Sequence, residues 1–243
     1  MRIPRLYLDK SELENGQVVN LDKSNSHYVS NVLRLKPGRL LIIFNNSEYE
    51  YTVEITSIDK NSIEITVINK QKSNRESPLN LKLALGVSKN QHMDIALQKA
   101  VETGAQEIQP VFTQYSSIKI EKDRLANKLE HWQKLIISAC EQSGRTILPK
   151  LYEPLLIKDY LSQSISATRV ILLPDATKRF TDILCDDKQI DLLIGPEGGF
   201  TGEEEEMVEQ AGFIAVNLGS RILRTETAVI AAISVCQNIW GDY

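Results

Sequence analysis

The sequence predicts an α/β protein in two parts, and three observations carry the prediction. Short β-branched and aromatic segments fill residues 5–70. A polar stretch containing Pro78 spans residues 70–80, and beyond it apolar strand-like runs alternate with helical periodicity as far as Trp240. A small barrel or sandwich is expected first, and a mostly parallel sheet with helices on both faces second.

In the first part, residues 5–8, 17–21, 40–44, 49–58 and 62–68 have strand composition, and the last two segments alternate apolar with polar. Asn45-Asn46-Ser47 and Asp59-Lys60-Asn61 supply turn chemistry. Residues 26–35 form one helical patch, with Tyr28, Val29, Val32 and Leu33 at helical spacing and Pro37-Gly38 as its stop. The polar 70–80 stretch (KQKSNRESPLN) reads as a linker, so the expected domains are residues 1–72 and 73–243.

In the second part, residues 81–87, 107–112, 170–173, 191–194 and 214–217 read as strands. Met93, Ala96, Leu97, Ala100 and Val101 mark a helix that Gly104 ends. Asp123 is the expected cap of a long amphipathic helix stopped at Gly144, and shorter helices are expected near residues 157–163 and 203–211. The last helix, residues 226–240, is apolar nearly all round, which suits burial or a second subunit.

Composition narrows the function classes. With 42% hydrophobic and 25% charged residues over 243 positions, the chain suits one large or two modest globular domains. No basic segment followed by an apolar one opens it, and no apolar run approaches the roughly 20 residues of a membrane helix. A cytoplasmic location, away from membranes, is the expectation. Cys140, Cys185 and Cys236 lack CxxC spacing, and His27, His92 and His131 are scattered, so neither a disulfide framework nor a metal site is expected. Residues 1–76 carry 11 Lys+Arg against 10 Asp+Glu, while the rest carries 17 against 22. A nucleic-acid surface is therefore expected toward the N-terminal part, with Arg2, Arg5, Arg34, Lys36 and Arg39 as candidate phosphate contacts or simply solvated side chains.

The densest signal is GPEGGFT at 195–201, between the apolar run DLLI and the acidic run 203–206. Gly195, Pro196, Gly198 and Gly199 force a turn, and glycines leaving a strand let backbone approach a ligand. Thr201 and Glu204 have capping-box spacing, which puts the acidic run in a first helical turn. In a parallel sheet, ligands sit at the carboxyl ends of strands, which gathers Leu173-Pro174, the 195–199 turn and the loop 218–224 (LGSRILR), with Thr225 as an expected helix cap. Neither GxxxxGK[ST] nor a GxGxxG after the first strand is present, against a P-loop NTPase or a conventional dinucleotide domain.

GPEGGFT at 195–201, LGSRILRTETA at 218–228, QKAVETGA at 98–105 and EQSGR at 141–145 resemble the RsmE family of ribosomal RNA uridine-N3 methyltransferases. MRIPRLYL at 1–8 and HYVSNVLRLKPG at 27–38 extend that resemblance over essentially the whole chain. The resemblance implies an N-terminal PUA-like β-barrel and a C-terminal SPOUT domain with a trefoil knot. It also implies a homodimer that uses S-adenosyl-L-methionine on small-subunit (16S) ribosomal RNA carried in an assembled subunit.

Carried onto this chain, the cofactor pocket would be built from three loops. Leu172, Leu173 and Pro174 form the first, and Ile194, Gly195, Pro196, Glu197 and Gly198 the second. Leu218, Gly219, Ser220, Ile222, Leu223 and Arg224 form the third. Arg224 is the candidate for stabilising charge on the uracil carbonyls, because a guanidinium is a rigid fork of donors that is never neutral. Glu197 or a water would be the base, or Glu197 would hold the turn. Arg145 and Arg221 would contact RNA or the partner subunit. His92 and Tyr115 stand where the family commonly has basic residues. A non-catalytic RNA-binding dimer, and a methyltransferase with another RNA target, remain the alternatives.

Overall fold

The structure, a computed structural model, describes residues 3–59, 62–116, 122–163 and 167–243. It divides into two compact units, Met1–Glu76 with Cys140–Leu148, and Ser77–Ala139 with Pro149–Tyr243.

The first unit contains β1 (Arg5–Tyr7), β2 (Val18–Asn20), α1 (Lys23–His27), β3 (Leu40–Phe44), β4 (Tyr49–Ile58) and β5 (Ile63–Lys72). The strands form one sheet in the order β1-β3-β4-β5-β2, with β1 parallel to β3 and the remaining pairs antiparallel. Alternation sends Tyr51, Val53 and Ile55 of β4 and Ile63, Ile65 and Val67 of β5 to one face. They share a single core with Leu6 of β1 and Val19 of β2, so the sheet curls until its two end strands face one interior. The helix starts earlier than residue 26, because the Asp22 side chain accepts from the Asn25 N–H at 2.9 Å and caps it. It continues as a π-helical turn, Tyr28–Val32, which a short run of apolar residues does not distinguish from an α-helix. Strand β5 runs on through Lys72, into the stretch read as linker. Lys60 and Asn61 of the expected turn lie outside the described residues, as does Arg2.

Two arginines expected on RNA are consumed inside this unit. Arg5 is buried, donates to Glu50 at 2.6 Å and to the Arg145 carbonyl at 3.3 Å, and lies over the Phe44 ring. Arg145 is 4% exposed and pairs with Glu76, its Nε reaching Oε1 at 3.1 Å. A guanidinium closed off in this way has no face left for a phosphate. Arg34 and Arg39 remain exposed.

The second unit begins with β6 (Asn80–Gly86), α2 (Asn90–Glu102), β7 (Glu107–Phe112), α3 (Lys122–Ser143), β8 (Lys150–Leu151), β9 (Leu155–Leu156) and α4 (Ile157–Leu161). It continues with β10 (Thr168–Leu172), a 3-10 turn at Phe180–Asp182, β11 (Gln189–Ile194), α5 (Gly202–Gln210), β12 (Ile214–Val216) and α6 (Thr225–Trp240). The sheet runs β12-β10-β11-β6-β7-β8 with every pairing parallel, and β9 also pairs with β7. The two-residue strands β8 and β9 carry too little pattern to be read from sequence. Helix α3 starts at Lys122, so Asp123, the expected cap, is instead the second residue of the helix.

Strand β11 is central, buried at every position from Ile190 to Ile194, which accounts for the unbroken apolar run. Tyr160 of α4 and Val208 of α5 pack with Ala84, Val111, Ile171 and Leu193 in one core. Helix α6 packs on α2 and on β11. Asp191 is fully buried in β11. It accepts from the Tyr160 hydroxyl and lies 3.4 Å from Arg169 Nε, while burial pushes its carboxyl above the ordinary value.

Burial alone would raise the Glu50 carboxyl, but hydrogen bonds from Arg5 and Gln71 and the charges of Arg5 and Arg75 hold it below its ordinary value. A depressed carboxyl stabilises the fold above the unfolded value of about 4.3, and that contribution is lost as pH falls through the folded value. Urea denaturation is expected to show Arg5→Met destabilised by about 3 kcal/mol near neutral pH. The gap between wild type and Glu50→Gln is expected to close below roughly pH 4.

Candidate functional site

Parallel pairing brings three strand ends to one edge of the second unit. Leu172 of β10 is in register with Val216 of β12, and Ile171 of β10 with Leu193 of β11. The three following loops enclose a cavity of about 220 Å3. Leu172, Leu173 and Pro174 line it from the first loop, Ile194 to Glu197 from the second, and Leu218, Gly219, Ile222 and Leu223 from the third.

Three expected pocket residues lie elsewhere. Gly198 is not part of the cavity lining, and a Cβ there would meet Tyr115 Cβ at 2.7 Å. Ser220 and Arg224 are both exposed and do not line the cavity. Arg221, expected on RNA or a partner, does line it.

Phe200, Glu205 and Ala228 join the lining with no sequence signal that singles them out, Gly199 joins it from the expected 195–199 turn, and Thr225, expected as a helix cap, lines it too. Thr225 is not the cap of α6. Arg224 holds that position, and the Thr225 hydroxyl points back to the Gly195 carbonyl at 3.5 Å.

The 195–201 turn is braced from several sides. Thr201 and Glu204 make the reciprocal capping box, and Glu204 also accepts from the Gln114 N–H at 2.7 Å. The Glu197 carboxylate accepts from the Lys89 N–H at 3.2 Å, tying the turn to the start of α2. Behind it, a Cβ on Gly86 would lie 2.4 Å from Pro196 Cδ, so the end of β6 must be glycine for the turn to sit where it does. A glycine closing an apolar strand was the available sequence signal for that contact.

A second groove, of about 440 Å3, adjoins the cavity. It shares Pro196, Glu197, Ile222, Leu223 and Thr225 with the cavity and adds His92, Arg224 and Glu226. The two hollows therefore adjoin and share part of their lining. The cavity combines apolar side chains and a glycine turn with two carboxylates, Glu197 and Glu205, and one guanidinium, Arg221. Such a lining suits a ligand with a flat apolar part and a zwitterionic part. The groove carries a second guanidinium, Arg224, which does not line the cavity.

Comparison with known proteins matches two segments of the chain. Residues 75–237 match the RNA methyltransferase domain family and residues 21–68 the RNA methyltransferase PUA domain family. Ribosomal RNA small subunit methyltransferase E of Buchnera aphidicola subsp. Schizaphis graminum is 41% identical over 99% of this chain and 98% of its own length. A methyltransferase structure from Legionella pneumophila, in complex with the bound cofactor SAM, superposes with a TM-score of 0.96 at 36% identity, covering 100% of both chains. The Neisseria gonorrhoeae ribosomal RNA small subunit methyltransferase E bound to S-adenosyl methionine gives 0.93 at 37% identity, also covering 100% of both. With this mixed α/β architecture and a PUA-like N-terminal segment, the chain belongs to the ribosomal RNA small subunit methyltransferase E family.

Proposed function

We propose that this chain transfers the methyl group of S-adenosylmethionine to N3 of a uridine in small-subunit ribosomal RNA. The cavity at the joined ends of β10, β11 and β12 carries the reading, because its lining has the mixed apolar and doubly charged character the cofactor needs. The two cofactor-bound relatives, similar over their whole length, support the same choice, and the names of the relatives support ribosomal RNA.

Leu172, Leu173, Ile194, Leu218, Ile222 and Leu223 would wall the adenine, and Glu205 and Arg221 would face the amino-acid end. When bound, the cofactor supplies a methyl group already electrophilic on its sulfonium. The protein's share is to align uracil N3 behind that methyl and to stabilise the negative charge that N3 deprotonation spreads onto the ring carbonyls. Arg224 lies in the adjoining groove, on the side left for the substrate, and is the donor for that charge. Glu197, engaged with the Lys89 N–H, acts as a brace of the turn.

The same reading gives residues 1–72 to RNA binding, through Arg34 and Arg39, and residues 73–243 to cofactor binding and dimerisation. It assigns the second unit to the SPOUT methyltransferases, with a trefoil knot, working as a cytoplasmic homodimer on an assembled subunit. Among the described residues no helix is long and apolar enough to cross a membrane and no cluster suits a metal ion, both compatible with that setting. Ile222, 87% exposed, and Ile230 on α6 are apolar groups that a second copy would cover. A single sedimenting species of monomer mass at micromolar concentration would remove the dimer.

Methylation of small subunits from cells lacking the protein, followed by mass spectrometry of nucleosides, is expected to yield N3-methyluridine. A different methylated nucleoside would move the target. In calorimetry, wild type is expected to bind S-adenosylmethionine, and Gly86→Ala, which pushes on Pro196, is expected to bind roughly tenfold more weakly. Arg224→Ala is expected to lose about 100-fold or more in kcat with cofactor affinity unchanged. Glu197→Gln, which keeps an acceptor for Lys89, should stay near wild-type turnover; a loss as large as that of Arg224→Ala would make Glu197 part of the chemistry.

A further inference from the structure

We infer that His92 and Glu226 form the proton-accepting pair of this reaction, with His92 Nε2 taking the N3 proton of uracil. The inference rests on the uridine reading above. Glu197 Oε1 already accepts a backbone N–H, and the groove beside the cofactor cavity contains a second group able to receive that proton.

His92 lies in the first turn of α2, and Glu226 is the second residue of α6. The two helices pack together, and His92 Nδ1 stands 3.2 Å from Glu226 Oε1. A carboxylate only accepts, so the hydrogen bond places the ring proton on Nδ1 and leaves the Nε2 lone pair open. Burial is graded along the pair. The Glu226 side chain is 14% exposed and that of His92 33%, so the carboxylate is enclosed while the imidazole reaches the groove. Glu226 Oε2 is buried and has no hydrogen-bond partner among the described residues. Among the described residues the imidazole is thus the one hydrogen-bonded partner of this carboxylate, and a ring that gains a proton at Nε2 becomes a cation beside it. A carboxylate that fixes the tautomer of a histidine and steadies the imidazolium is the working arrangement of hydrolase triads as well.

The other charges at the groove are compatible with this role. Arg224, from the loop before α6, supplies donors for the uracil carbonyls, and Glu197, from the 195–201 turn, is turned to the Lys89 N–H. On α2 itself, Asp94 is occupied with His131 of α3 at 2.9 Å. In the balanced step, the N3–H bond breaks and its proton passes to Nε2. The N3 electron pair forms the bond to the transferred methyl, the sulfur–methyl bond breaks, and its electron pair stays on sulfur. The imidazolium then returns its proton to water. His92 would be a catalytic residue, and Glu226 a positioning residue acting through it.

The test uses the full-length protein with small subunits from cells lacking it. His92→Gln keeps a side-chain N–H for Glu226 but no base. Its single-turnover rate is expected to fall by about 100-fold, with cofactor affinity by calorimetry unchanged. It should lose the acid limb of the wild-type pH–rate profile and regain rate as the pH approaches that at which uridine ionises by itself. Glu226→Gln is expected to lower the rate with KM for the subunit unchanged. Nitrogen-15 NMR of the neutral His92 ring is expected to show hydrogen on Nδ1 and a bare Nε2. A His92→Gln rate within about twofold of wild type would overturn the inference, since general acid–base catalysis is worth far more than that. The opposite tautomer would overturn it too. Wild type that makes no N3-methyluridine would overturn the uridine reading itself, and the inference with it.

Discussion

The parallel register of the central strands is the constraint on which the rest of the second unit depends. Because β12, β10, β11 and β6 all run the same way, each strand delivers its following loop to one edge of the sheet. A one-residue slip of β11 would turn Leu193 away from the core it shares with Ile171 and Ala84, so packing fixes the register. The position of Gly195 then follows from that of Ile194. The site is thus a consequence of core packing.

Close contacts then convert a loop cluster into a shaped cavity. Gly86 lets Pro196 lie against the end of β6, Gly198 admits Tyr115, and Glu204 reaches both Thr201 and Gln114. Glycines that suggest room for a ligand have two uses here, since the missing Cβ of Gly86 and of Gly198 is replaced by protein atoms. Pro196, Glu197, Ile222, Leu223 and Thr225 line both a mixed apolar cavity and the adjoining groove that carries His92, Arg224 and Glu226. Adjoining sites that share part of their lining can bring a donor and an acceptor into direct contact, which a group transfer needs.

Arginine shows where local pattern stops being informative. Arg5 and Arg34 both stand among apolar neighbours in the sequence, yet one is buried against Glu50 and the other is exposed. Arg145 stands in a motif that suggests a surface role and is enclosed with Glu76. Arg221 and Arg224, three residues apart, line the cavity and the groove respectively. The charge of a guanidinium is set by its chemistry, whereas its partner is set by segments distant in the chain.

What the sequence determined by itself is the local part of the fold and the loops of the site. Strands β3, β4 and β7 have the bounds that alternation and apolar runs indicate, and the Thr201–Glu204 box opens α5. These features depend on neighbours within a few residues, where side-chain period and capping chemistry act directly. Only the tertiary structure decided the short strands β8 and β9, the burial of Arg5 and Arg145, the filling of Gly198 by Tyr115, and the meeting of His92 with Glu226. Each joins residues far apart in the chain, and no local period or propensity records a contact that exists only after the sheet and its helices have packed.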